Sequence, residues 1–385
     1  MKRIESIDIM RGFVMILMTL DHTRDLLHIT STIQQPTDLS TTTPLLFFTR
    51  WITHLCAPTF VFLSGASAYL AAKRKNNHSE SKRHLMTRGI WLIVLDLTLV
   101  NFGVWFDIHF NVFLFDVISA IGVGFIVLSL LLNTSPKTIG IIGVSIIALH
   151  NLSPLIPFAE TSLFKTVLMP LFAPGAFPLG GGVTFVMGYP PIPWLGIILV
   201  GFSAGRLFEQ PEAFRKKIYL RLGILSLLVF TCIRFINIYG DAVPWDKKTN
   251  TLFTFLSFIN VTKYPPSLLF SLLTLGFMFL ILFVIEGSRN RFTAIATVFG
   301  KVPLFYFLIH WYIIHPIVFI MAYFQGFKSS DFLFGFNFGR PNGSGVKLGM
   351  IYFIWILVLL ILYPICKSYG GYKENHKEKK WLGYL

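Results

Sequence analysis

The sequence predicts an all-α fold: a polytopic membrane helix bundle of about ten transmembrane helices, N-in and C-in, forming one transmembrane domain over residues 1–385. Apolar residues make up 54% of the chain against 13% charged, and mean hydropathy is +0.67, all outside the range of soluble domains. The placement of the 33 lysines and arginines sets the orientation. About 22 of them fall in alternate connectors and the C-terminal tail, and about eight in the remaining connectors, which is the asymmetry that marks cytoplasmic loops. The net charge of +15 is therefore a topology signal, and nucleic acid is excluded as a partner.

Ten apolar runs justify the helix number: residues 7–27, 47–72, 88–106, 113–133, 138–152, 190–208, 218–238, 265–286, 302–324 and 347–366, some at the short end for a span. The first follows Met1-Lys2-Arg3, as a signal peptide would. It lacks a small-residue cleavage site and carries Asp8, Arg11, Asp21 and His22, so it stays as the first span. The longest connectors (28–46, 153–189, 239–263 and 326–346) all fall on the expected outer face, and each is too short for a core of its own. Within the second, Met169–Trp194 holds too many prolines and glycines for a regular helix yet is apolar and aromatic, which predicts a re-entrant or cavity-covering loop. Cys56, Cys232 and Cys366 lie inside expected spans and read as packing residues, and no metal-ligand spacing occurs.

The chemistry concentrates on the first span. Asp8, Arg11, Met15, Met18, His22 and Asp25 recur at spacings of three and four, one face of an α-helix. Arg11 and His22 point within about 20° of each other and stand about 16 Å apart along the axis. Charged groups in lipid are costly and face a bundle interior or a water-filled cavity. One reading makes Arg11 a headgroup-level residue paired with Asp8, with Asp21 and His22 marking the end of the span. The other makes the stripe a track with a cation near the inner surface and a titratable base near the outer one. On it Asp25 accepts a hydrogen bond from His22 and fixes its tautomer, and Asp21 pairs with Arg24. Coenzyme A suits such a track, with a phosphorylated head for cytoplasmic cations and a pantetheine arm of about the Arg11 to His22 length.

Further candidates follow in chain order. Arg50 and His54 are one turn apart near the outer end of the second span, which makes His54 either a second site histidine or a packed one. The small face of Ala57, Pro58, Val61, Ser64, Gly65 and Ala68 predicts close helix packing. Asp96 is a mid-membrane carboxylate that needs a partner, either Arg234 or a site cation. Asp107, His109 and Asp116 form an outer polar cluster that is either an acceptor subsite or a headgroup turn. His310 and His315 differ by about 140° in direction and cannot share a face. Trp51, Trp194 and Trp245 read as interface anchors, with sugar stacking as the alternative for Trp194.

Five blocks in consistent order from residue 3 to about 320, "RIESIDIMRGFVMILMTLDHTRD", "TRWITHLCAPTFVFLSGASAYL", "YPPIPWLGIILVGFSAGRLF", "KYPPSLLFSLLTLG" and "GKVPLFYFLIHWYIIHP", resemble the bacterial branch of the heparan-alpha-glucosaminide N-acetyltransferase catalytic-domain family. The Arg11 to His22 spacing also resembles the arginine, ten residues, histidine pattern of the acyltransferase-3 transmembrane acyltransferases. The resemblance implies a multi-helix membrane enzyme that takes acetyl from cytosolic acetyl-CoA and delivers it to a sugar on the far side. Arg11 and Gly12 match its first-helix motif, and His310 falls on a late histidine. Where the animal enzyme has an asparagine this chain has His22, and the animal enzyme's loop histidine has only His28 as its nearest counterpart.

The expected function is thus an integral membrane acyltransferase, N- or O-, in the bacterial inner (cytoplasmic) membrane. His22 acts as general base, supported by Asp25, Asp21 and His54. Arg11, Arg88, Arg206, Lys301 and His310 hold the acetyl-CoA, and no metal takes part. Expected partners are acyl-CoA, an extracytoplasmic sugar or glycan acceptor and membrane lipids, with a homodimer left open. The rivals are a proton-coupled transporter relaying through His22 and Asp96, and an inactive packing protein whose stripe is structural.

Overall fold

The computed structural model describes residues 4–75, 77–155, 163–379 and 381–382. Lys2, Arg3 and Lys380 of the basic-residue pattern and residues 156–162 of the second long connector lie outside the described residues.

The chain is an all-α polytopic membrane bundle. In order it forms α1 (Glu5–Leu27), α2 (Pro44–Lys75), α3 (His78–Trp105), β1 (Val112–Phe115), α4 (Val117–Leu131), α5 (Pro136–Leu149), α6 (Leu163–Phe172), β2 (Gly175–Gly180), β3 (Val183–Met187) and α7 (Pro191–Glu209). It continues through α8 (Glu212–Ile236), α9 (Thr251–Ile259), α10 (Leu268–Ile285), α11 (Arg291–Gly300), α12 (Pro303–Phe324) and α13 (Leu348–Asn375). Each of the ten expected runs contains a helix. Among the described residues seven of these, α2, α3, α7, α8, α10, α12 and α13, are long and apolar enough to cross a membrane.

Helix α1 carries too many charges to be a lipid-facing span, and the bundle solves this by putting it at the centre. It packs against α2, α10, α11, α12 and α13, and its Asp8, Thr19, Asp21, Thr23 and Arg24 are buried in protein. Two crossings are close enough to demand glycine. A Cβ on Gly12 would lie 1.7 Å from the Ala296 carbonyl oxygen of α11, and one on Gly65 would lie 2.1 Å from the Ile198 carbonyl oxygen of α7. Gly65 of the small face expected on α2 thus sits at the α2–α7 contact, while Ser64 of that face lines a cavity. Trp355 Nε1 of α13 donates to the Ile16 carbonyl oxygen at 2.9 Å, pinning the last helix to the first.

Residues 112–115 form a strand rather than the start of the fourth helix. The Met169–Trp194 segment, expected as a re-entrant or cavity-covering loop, folds as the end of α6, a β2–β3 hairpin and the start of α7. Strand β3 pairs parallel with β1, Val112 opposite Thr184 through Phe115 opposite Met187, and antiparallel with β2. The hairpin turns on Gly180, Gly181 and Gly182, all at positive φ, where a side chain would be strained.

The buried carboxylate of Asp96 does not meet Arg234. Helix α3 widens to a π-turn over Asp96–Val100, and there Asp96 Oδ2 accepts from the backbone N–H groups of Asp116 at 2.9 Å and Ser119 at 3.1 Å. It caps the first turn of α4 from a neighbouring helix, satisfying donors that have no intrahelical partner. Arg234 is wrapped by the backbone carbonyls of Phe258, Val243, Ser257 and Asn260, where it serves the C-terminus of α9. Trp194 is fully buried against Tyr189, ring centroids 4.9 Å apart, so it is a core residue and not an interface anchor.

Candidate active site

Both ends of the α1 stripe meet other helices. At the Arg11 end, Arg11 Nη2 donates to Ser67 Oγ and, at 3.3 Å, to the Leu63 carbonyl oxygen of α2, with Nη1 3.9 Å from Asp8 Oδ1. Arg11 and Arg88 line one cavity of about 280 Å³, closed by Phe60, Ser64, Val117, Leu304 and Phe307. Its walls come from α1, α2, α3, α4 and α12, and Phe307 also packs on His310 at 5.5 Å between ring centroids. The cavity is therefore lined both by two guanidinium groups and by Phe307, whose ring packs on that of His310.

At the other end of the stripe, His22 Nδ1 lies 2.7 Å from His310 Nε2. The His22 ring stacks on Trp311 at 4.1 Å, and His310 is fully buried with Nδ1 3.3 Å from the Tyr306 carbonyl oxygen one turn back on α12. A carbonyl only accepts, so His310 carries its proton on Nδ1 and presents a lone pair at Nε2. His22 then donates from Nδ1, and its own Nε2 is left with a bare lone pair. Two hydrogen bonds thus assign both tautomers when the rings are neutral, and the nitrogen left free to accept a proton is His22 Nε2. Thr19 Oγ1 bonds the Tyr306 hydroxyl, and that hydroxyl donates to the Met15 carbonyl oxygen at 3.3 Å, which fixes the register of α12 on α1.

The expected His22–Asp25 hydrogen bond is replaced by this histidine pair. Asp25 instead bonds Arg24, Nη2 to Oδ1 at 2.7 Å, because the intervening guanidinium is a stronger partner than a neutral imidazole. Arg24 also donates to Asp21 Oδ1 at 2.7 Å, and Arg50 Nη1 donates to Asp21 Oδ2, so Asp21 is held by two cations. His54 sits buried on a 3-10 turn within α2, edge-on to Phe270 at 5.5 Å, near Arg50 and Asp21 but without a ring contact to His22 among the described residues.

The remaining candidates spread out. His310, expected among the donor-holding residues, stands against His22 instead. Arg206 opens on a separate groove with Lys137 between α5, α7 and α8. Lys301 pairs with Glu374 at 2.8 Å and lines an open cleft with Asp8, Arg289 and Arg291 beside the Arg11 end. Neither lines the Arg11–Arg88 cavity. Asp107 organises its own turn, accepting from the His109 and Asn111 backbone N–H groups. His315 lies between the Gly103 and Phe338 carbonyl oxygens, which makes it structural. His28 follows α1, pairs its backbone with Val346 and bonds Thr30 Oγ1 at 3.1 Å. Burial, and then the charges of Arg24 and Arg340, hold its pKa below the ordinary histidine range. Its connections run to the Arg340–Val346 loop and not to the histidine pair. Lys263 was missed: its charge bears on Asp21, His22 and His54, and its only signal was its place in the "KYPPS" block.

With this geometry in place, comparison decides the family. The model of the family described as "Heparan-alpha-glucosaminide N-acetyltransferase, catalytic" matches residues 3–239, well over half of the chain. The chain belongs to this family. It is thereby a multi-pass membrane protein of an acetyltransferase family. The matched region contains Arg11, His22, Arg50, His54 and Arg88, while His310 and Lys263 lie beyond it. No curated protein matches the chain.

Proposed function

We propose that the protein, working as one domain in a bacterial inner membrane with both termini cytoplasmic, moves an acetyl group from cytosolic acetyl-CoA to an amine or hydroxyl of an extracytoplasmic sugar. The observation that carries this reading is the cavity that begins at Arg11 and Arg88 and ends at Phe307 beside the His310–His22 pair. At about 280 Å³ it lies at the lower edge of small-molecule pockets, which suits a narrow pantetheine arm with the nucleotide left at the mouth. Arg11 and Arg88 are the phosphate-facing cations, with Lys301, Arg289 and Arg291 in the neighbouring cleft adding attraction for the polyanionic head.

In the transfer step His22 Nε2 removes the proton of the acceptor amine or hydroxyl as its lone pair attacks the thioester carbonyl carbon. The carbonyl π pair moves to oxygen, then returns as the C–S bond breaks. The thiolate of CoA leaves and takes the proton from His22. His310 acts through His22, accepting from Nδ1 so that Nε2 stays aimed at the acceptor, and the imidazolium that forms is neighboured by Asp21.

Purified protein in liposomes, given acetyl-CoA on the cytoplasmic face and glucosamine on the other, releases free CoA and forms N-acetylglucosamine. The transporter reading predicts solute movement under a pH gradient with no CoA formed. Against that reading, Oδ2 of its relay carboxylate, Asp96, is engaged in capping α4.

A further inference from the structure

Three cations gather near His22, and two of them are accounted for: Arg24 and Arg50 are bonded to Asp21, and Arg24 also to Asp25. The third is Lys263, only 8% exposed, with no carboxylate within ion-pair distance of Nζ among the described residues. Lysines are rarely buried without a partner because the desolvated charge is costly. Among the described residues its ammonium lies over the Tyr264 ring, 4.9 Å from Nζ to the ring centroid. That ring is held in turn, as the Tyr264 hydroxyl lies 3.2 Å from the Tyr189 hydroxyl and Tyr189 packs on the buried Trp194.

The backbone carrying Lys263 is equally fixed. Asp241 accepts from the Thr262 backbone N–H at 2.9 Å, from Thr262 Oγ1 at 2.8 Å and from Ser267 Oγ at 2.6 Å, bracketing the lysine on both sides. From that position its charge bears on His22 and Asp21 of α1, on His54 and Cys56 of α2, and on Asp116 before α4. Ring contacts from Tyr264 through Tyr189 and Trp194 to Phe270, whose ring lies 5.5 Å from that of His54, tie the Lys263 segment to the His54 wall of the site. A rigid, buried cation with no carboxylate partner among the described residues is what a site needs where negative charge appears only during reaction.

We propose that Lys263 is a further catalytic residue, whose ammonium holds the thioester carbonyl oxygen as it becomes an oxyanion. This rests on the acetyl-transfer reading above. The bonds made and broken are those already given; Lys263 keeps its proton throughout and contributes attraction that grows as the π pair moves onto oxygen.

The test uses the full chain in detergent with acetyl-CoA and two acceptors, glucosamine and glucosamine 6-phosphate. Lys263→Met, Lys263→Gln and Lys263→Arg are compared with the wild type for kcat, both KM values and thermal unfolding. Removing the charge is expected to lower kcat about 10²–10³-fold on both acceptors with KM values nearly unchanged, and Lys263→Arg to recover part of the loss. Loss of an unpaired buried charge should leave the unfolding temperature at or above that of the wild type, whereas a structural cation would lower it. Unchanged kcat in a folded Lys263→Met or Lys263→Gln protein overturns the proposal while leaving the acetyl-transfer reading intact. A loss seen only as a raised KM for glucosamine 6-phosphate also overturns it, making Lys263 an anchor for acceptor charge. A wild-type protein that releases no CoA overturns both.

Discussion

His22 on the first helix and His310 on the twelfth meet through Nδ1 and Nε2 at 2.7 Å, and the Tyr306 carbonyl behind His310 determines which nitrogen of each ring carries the proton. The pair does for His22 what a carboxylate does in a Ser-His-Asp triad: it holds one tautomer and one ring orientation. A neutral partner stabilises an imidazolium less than a carboxylate does, and on the proposed mechanism the nearby Asp21 supplies the negative charge.

On the proposed mechanism His310 is a positioning residue. His310→Ala should lower kcat about 10- to 100-fold with little change in either KM. His310→Gln, whose amide oxygen can accept from His22 Nδ1, should recover part of the loss. Equal losses for Ala and Gln, measured by steady-state CoA release, would assign His310 to packing alone.

Arg11 and Arg88 share a cavity, and Arg206 does not. Arg88→Gln should raise the KM for acetyl-CoA about tenfold and flatten its salt dependence, while Arg206→Gln leaves both unchanged. Arg11→Gln should raise KM as well and also loosen α1 from α2, since Arg11 bonds Leu63 and Ser67. Titrations of initial rate against acetyl-CoA at two ionic strengths separate the three variants.

Asp96 distinguishes a cap from a proton relay. Asp96→Asn keeps an oxygen that can accept from Asp116 and Ser119 and should retain acetyl transfer. Asp96→Ala leaves those buried donors unsatisfied and should cost about 1–2 kcal/mol of stability. Thermal unfolding together with turnover reads both effects; inactivation by Asn at unchanged stability would return Asp96 to the chemistry.

Much of this was legible in the sequence because it is local. Apolar runs reported helices, and the three-and-four spacing placed Arg11 and His22 on one face. Arg24 could be paired with Asp21 because the two lie within a turn. What stayed hidden depends on long-range pairing. Asp25 stood as the visible partner of His22 since it is three residues away, whereas the actual partner is 288 residues away. Asp96 invited a charged partner, yet backbone N–H groups, which no sequence motif displays, hold its Oδ2. Strands β1 and β3 are four and five residues long and pair across three intervening helices, so neither alternation nor length revealed them. Gly12 matched a family pattern, but only the crossing of α1 and α11 explains it.

That crossing is itself a sensitive point. Gly12→Ala would set a methyl group 1.7 Å from the Ala296 carbonyl oxygen, a backbone atom that cannot move aside cheaply. The variant should lose at least about 1–3 kcal/mol of stability or fail to assemble, seen as a lowered unfolding temperature.

The central claim is that His22 Nε2 takes the acceptor proton, and the most direct measurement is transfer of labelled acetyl from acetyl-CoA to glucosamine by wild-type and His22→Ala protein at matched folded concentration. Transfer by the wild type with a fall of about 10²–10⁴-fold in His22→Ala, at unchanged unfolding temperature, is the predicted result. Turnover by His22→Ala at the wild-type rate would contradict it.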